Sequence, residues 1–203
     1  MNATIFYQQV AAAMDQPPYA RHQQLIALHG QALHAYRIAL NQLTAEEVRG
    51  PPPDLSDSRT IAQIIGHIAA WDRFALLAAG DILAGIRHPR MITDLSGYCE
   101  TDGTFPAFAT IDDFNAYHAV KYQTWPWDEL RRFAEDAAST LYVLFSHPQL
   151  LSSERLEQTA PFWKRLQNGT VVQNITMGWN LWLTMIEHIA VEHSALLECY
   201  GET

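Results

Sequence analysis

The stretch TMIEHIAVEHSALLECYG, residues 184–201, sets His188, Glu192 and His193 among apolar neighbours. Imidazoles and a carboxylate close together on one element are the side chains that hold divalent metals or move protons. Read at 100° per residue as a helix, the segment gathers Gly178, Trp182, Met185, Ile189, Leu196 and Tyr200 on one stripe. Glu192 and His193 straddle that stripe, and His188 lies about 80° from its centre. Upstream, in TIAQIIGHIAAWDRF, His67 stands between Ile64, Ile68 and Trp71, so it too faces an interior. Two helices therefore offer imidazoles to one core, which is where metal sites are built in helical bundles.

The spacing resists the simplest metal reading. Ligands on one helix normally stand at i and i+4, whereas His188 and His193 are five apart and about 140° around a regular helix. A π-bulge between them, with its i to i+5 bonding, would bring the two rings into line. Alternatively His188 and Glu192, correctly spaced at i and i+4, act with His67. HIAVEH is one residue too long for the H-x-x-E-H metalloprotease pattern, which is rejected. The competing account is a buried hydrogen-bond network, each histidine satisfied by a carbonyl or a tyrosine hydroxyl. Glu192, if buried, calls for a cation or several donors.

Other chemistry-bearing residues are weaker. Trp71, Trp179 and Trp182 would wall a pocket, or form plain core at helical spacing. His118, with Lys121 and Tyr122, could edge a pocket mouth but is expected on a solvated face. Asp112 and Asp113 fit the N-terminal charges of a helix better than a catalytic pair. Cys99 and Cys199 are widely separated and read as packing residues. The sequence contains no phosphate loop, nucleophile elbow or cofactor fingerprint.

The elements that must position these residues are helical. A short helix or extension occupies residues 1–18, and a long helix runs from about Tyr19 to Leu43, ended by GPPPDLSDS. A second starts near Ser58 or Thr60 and spans roughly 37 Å. A long connection from about 86 to 109 follows. Thr110 and Asp113 resemble a capping box opening the third helix, which should kink or break near 123–126 at Pro126. A second irregular stretch leads to a final helix from about Thr170 to Tyr200, with Gly201 placed to stop it. No sustained alternation is read, so no hairpin is expected. Residues 1–203 make a single all-α domain, a four-helix bundle with long crossovers.

Composition narrows the function classes. Thirteen basic against 22 acidic residues give a net charge of −9, and the basic residues are scattered, which argues against nucleic acid. No run approaches the ~20 apolar residues of a membrane span and no secretory leader opens the chain, so a cytoplasmic location is expected.

The segments TIAQIIGHIAAWDRF, IDDFNAYHAVKYQTWPWDELRRFAEDAASTL and IEHIAVEHSALLECYG together resemble the DinB-like superfamily, which includes DfsB and colibactin-resistance-type proteins. The resemblance implies an up-down-down-up bundle, often a homodimer, carrying a nickel- or zinc-binding histidine triad. By position His67 matches the first ligand and His193 the last, while Ile189 stands where the middle ligand belongs, and His188 substitutes only if the helix is distorted. It further implies a metal-dependent hydrolase, thiol transferase or isomerase acting on a small reactive molecule in detoxification or stress response, with Glu192 as general base. The alternative is a metal-free protein that binds or sequesters a small molecule.

Overall fold

The structure is a computed structural model that describes residues 2–52, 58–90, 94–166, 169 and 171–200. Four helices of 12 to 25 residues come first: α1 (Ala3–Met14), α2 (Pro18–Gln42), α3 (Ile61–Leu83) and α4 (Ile111–Gln123). They are followed by α5 (Trp127–Ser146), the short α6 (Ser153–Glu157), strands β1 (Pro161–Arg165) and β2 (Val171–Thr176), and α7 (Met177–Glu187). A π-helical turn, His188–Glu192, joins α7 to α8 (Ser194–Tyr200). The fold is mostly helical, and among the described residues no helix is long and apolar enough to cross a membrane.

Helix starts follow from capping chemistry. Thr60 accepts from Gln63 N while the Gln63 side chain accepts from Thr60 N, a reciprocal box that opens α3. Thr110 and Asp113 do the same for α4. Pro126 separates α4 from α5; lacking an N–H, it loses nothing where the first amides of α5 have no helical partner anyway. The expected kink is thus a full break between two helices. Pro17 and Pro18 open α2 on the same principle.

In α3, 17 of 23 residues are buried, because the helix is clasped by α4 and α5 and also packs on α7. Alanines at 69, 70, 75, 78 and 79 keep its surface narrow enough for that. At Gly66 an added Cβ would run into the Tyr122 ring of α4, so only glycine allows the close crossing of these helices. Helix α2 packs on α5, α8 and α1, and one hydrophobic cluster runs through all the long helices.

Two expectations are corrected here. The final helix begins at Met177 and not near Thr170, because the residues before it form β2, paired antiparallel with β1. The β-branched run Val171, Val172, Ile175, Thr176 favours extended backbone, and Asn168-Gly169 is a hairpin signal between the strands, with Gly169 at φ +86°. Thr176 then switches role, its hydroxyl accepting from Trp179 N to cap α7. The all-α expectation therefore holds apart from this two-stranded sheet. Gly201, expected to stop the last helix, lies outside the described residues.

Candidate metal centre

His67 sits on α3 two turns beyond the Thr60 cap, fixed in height by that cap and buried by the α3 packing. His188 and His193 bracket the π turn. The His193 amide donates to the His188 carbonyl at 3.2 Å, an i to i−5 bond that stacks residue 193 over residue 188. The turn takes up one extra residue so that α7 and α8 both keep apolar faces inward, Ile189 and Ala190 before it and Leu196 and Leu197 after. Its start is anchored by buried Glu187, whose carboxylate accepts from Tyr7 Oη at 3.0 Å and lies 3.0 Å from Lys164 Nζ of β1.

The three rings form a near-equilateral triangle, with centroids 5.0, 5.3 and 5.0 Å apart. One nitrogen of each lies within 4.8 Å of the other two, and His188 Nε2 is 3.1 Å from His67 Nε2. Imidazole nitrogens on one zinc or nickel ion at ~2.1 Å stand about 3.0 to 3.4 Å apart, so small side-chain rotations bring all three into reach. Burial lowers the His188 pKa well below its ordinary value, and the charges of His193, His67 and Arg59 lower it further. At neutral pH the ring is therefore uncharged, the state that offers a lone pair to a metal. His188 Nδ1 is buried with no hydrogen-bond partner among the described residues. The three histidines thus fit a metal ion, and the arrangement can hold one.

Above the triangle opens a cavity of about 380 Å³, lined also by Arg59, Trp71, Asn115, Thr184 and Glu192. Glu192 is not the buried carboxylate expected: its side chain is 36% exposed at the rim, with Oε2 3.8 Å from His188 Nε2. The π turn rotates it outward, and solvent removes the need for a buried counter-charge. Trp71 lines the cavity as expected. Trp182 does not: it is wholly buried between Phe145 and Trp179, and its indole N–H donates to His29 Nδ1 at 2.9 Å. Trp179 likewise is core.

His118 departs from its expected solvated face. It is wholly buried on α4, with Nδ1 2.8 Å from the Phe114 carbonyl and Nε2 3.0 Å from Tyr98 Oη. Phe114, His118 and Tyr122 repeat every four residues, the interval that marks the buried face. Beside them buried Glu100 pairs with Lys121 at 2.7 Å. Burial pushes the Glu100 carboxyl up, but its hydrogen bonds and charge contacts with His118 and Lys121 outweigh that and hold it at about 2. This cluster fastens the long 86–109 connection to α4. Cys99 is half-buried and Cys199 exposed, so the latter is not the packing residue expected.

A larger groove, about 700 Å³, lies between the end of α3 and the hairpin. It contains no histidine, and its carboxylate, Glu157, is bound by Arg21 at 2.8 Å and by Trp179 Nε1 at 2.7 Å. Of the two, the histidine cavity is the one that gathers side chains able to hold a metal. The residues that sequence reading missed are those completing its wall and support: Arg59, Asn115, Lys164, Thr184 and Glu187. Thr184 and Glu187 had a local signal, standing four and one residues before His188 on the same helix. Asn115 and Lys164 arrive from other elements and had none. Comparison with protein-family models, with characterised proteins and with solved structures finds no match for this chain.

Proposed function

We propose that the chain is a DinB-like four-helix bundle, built from α2, α3, α4 with α5, and α7 with α8, in which His67, His188 and His193 hold a divalent metal, nickel or zinc. The observation that carries this reading is the π turn, which gives His188 and His193 a common face in spite of their five-residue spacing. The reading is of an enzyme of hydrolase or thiol transferase and isomerase type, acting on a small reactive molecule. A metal held by His67, His188 and His193 would lower the pKa of a bound water or thiol. The chain's own groups bind and orient the substrate: Trp71 forms an apolar wall, and Glu192, at the rim and within reach of water, accepts and returns protons.

Metal content of tag-free protein by mass spectrometry tests the reading, with His67→Ala and His193→Ala alongside. About one nickel or zinc per chain, lost in both variants, is expected. No uptake after incubation with either ion overturns it. A second reading rests on the 3.1 Å contact between His188 and His67, which one Nε2–H donating to the other ring also explains. In that case the cavity serves a metal-free binding or sequestering protein, and His67→Ala costs only stability, roughly 1 to 3 kcal/mol.

A further inference from the structure

Two side chains on the wall of the histidine cavity have one hydrogen-bonding function committed to a neighbour and the opposite one left over. The Trp71 indole nitrogen lies 3.1 Å from Asn115 Oδ1. An indole nitrogen only donates, so the amide oxygen faces it and the amide NH2 turns away. Lys164 Nζ lies 2.7 Å from Thr184 Oγ1. An ammonium also only donates, so the hydroxyl oxygen accepts and its proton points elsewhere. Neither the Asn115 NH2 nor the Thr184 O–H donates to any described residue, and both residues line the cavity. The charged donor on Thr184 polarises the hydroxyl and makes it the stronger donor in turn.

With the Arg59 guanidinium, the wall is rich in donors, while its one carboxylate, Glu192, sits at the solvent rim. Donors fixed on a cavity wall favour ligands that pair with them over ligands that leave them unpaired. We infer that Asn115 and Thr184 are specificity-determining residues, and that the cavity takes a small organic anion whose carboxylate or similar oxyanion accepts from both, with its carbon chain along Trp71 and Met185. The inference rests on the proposed function only in taking this cavity as the ligand site; the donors are present with or without a metal.

The test is nitrogen-15 NMR of the full chain at neutral pH, titrated with butyrate, butanamide and butylamine, first metal-free and then zinc-treated. Butyrate is expected to bind most tightly and to shift the Asn115 side-chain amide resonances. In the metal-free protein Asn115→Ala and Thr184→Val should each weaken it at least about tenfold, the scale of a hydrogen bond to a charged group. Asn115→Asp keeps an oxygen for Trp71 but replaces the donor with negative charge, so it should reverse the preference toward butylamine. Butyrate binding no tighter than butylamine, or variants that bind like the wild type, would overturn the inference. Zinc uptake without butyrate preference overturns this inference and leaves the metal centre standing. Butyrate preference without zinc uptake does the opposite.

Discussion

Deleting Val191 should leave metal binding intact, although it removes a residue from the middle of the candidate site. The π turn makes residues five apart share a face; in a regular α-helix residues four apart do. Without Val191 the segment reads H-I-A-E-H, and a regular helix then aligns the two histidines and keeps α8 in its present orientation on α2. Zinc affinity should stay within about threefold, under 1 kcal/mol. Inserting an alanine after Val191 is the opposite perturbation. It turns His193 by about 100°, and with the ring roughly 6 Å from the helix axis this moves it about 9 Å. That exceeds the 4.8 Å containing the three ligand atoms, so the site loses a ligand. Affinity should fall more than about a hundredfold. The insertion also turns buried Leu196 and Leu197 out of the core, at about 1.5 to 3 kcal/mol each. Competition with a chromophoric chelator gives the affinities, and thermal unfolding the stabilities. A deletion variant that loses zinc as fully as His193→Ala, or an insertion variant that binds like the wild type, would refute the geometry.

Three further outcomes concern the frame that holds the site. Gly66→Ala should destabilise by about 1 to 3 kcal/mol and displace His67, because the new methyl meets the buried Tyr122 ring; chemical denaturation measures it. Asp72 on α3 is wholly buried with neither oxygen hydrogen-bonded to a described residue, and burial raises its pKa from 3.8 to about 8. The folded chain therefore keeps a proton that the unfolded chain loses, so stability falls as pH rises from about 4 to about 8. Asp72→Asn should remove that slope and stabilise by about 4 kcal/mol at pH 7; an unchanged pH profile refutes it. Glu100 has the opposite sign: its stabilisation is complete above the unfolded pKa of 4.5 and is lost as pH falls toward about 2. Glu100→Gln should thus cost roughly 1 to 3 kcal/mol at pH 7, a difference that closes in acid unfolding curves.

What the sequence made legible was local. The boxes at Thr60 with Gln63 and Thr110 with Asp113, and the break at Pro126, are written in residues within a turn of each other. The π turn was legible as a condition, because only an i to i+5 turn reconciles His188 with His193. The hairpin was missed because its strands are short and its signal is a single Asn-Gly pair set before a longer helical pattern. Glu192 was misplaced because the same turn that aligns the histidines shifts the phase of what lies between them, which a fixed 100° step cannot represent. Thr184 stood within a turn of His188, but Asn115 could not be placed beside it, and the free donors of both are defined by Lys164 and Trp71 on other elements.

The strongest objection to a functional site is that buried histidines are ordinary, and this chain has five: His22, His29, His67, His118 and His188. Three of them show what an ordinary one looks like here. His22 Nε2 is 2.6 Å from the Phe145 carbonyl and its Nδ1 is 3.0 Å from Ser153 Oγ. His29 accepts from Trp182, and His118 is held at both nitrogens by Phe114 and Tyr98. Each has a partner from the backbone or from a residue of fixed donor sense, and none lines the cavity. His67 and His188 instead turn nitrogens toward each other and toward His193, at the floor of a cavity open to solvent. Two buried carboxylates elsewhere meet lysines, Glu100 with Lys121 and Glu187 with Lys164, while Asp72 is held protonated by its burial. At the three histidines the nitrogens converge on one another, in an arrangement that can hold a cation.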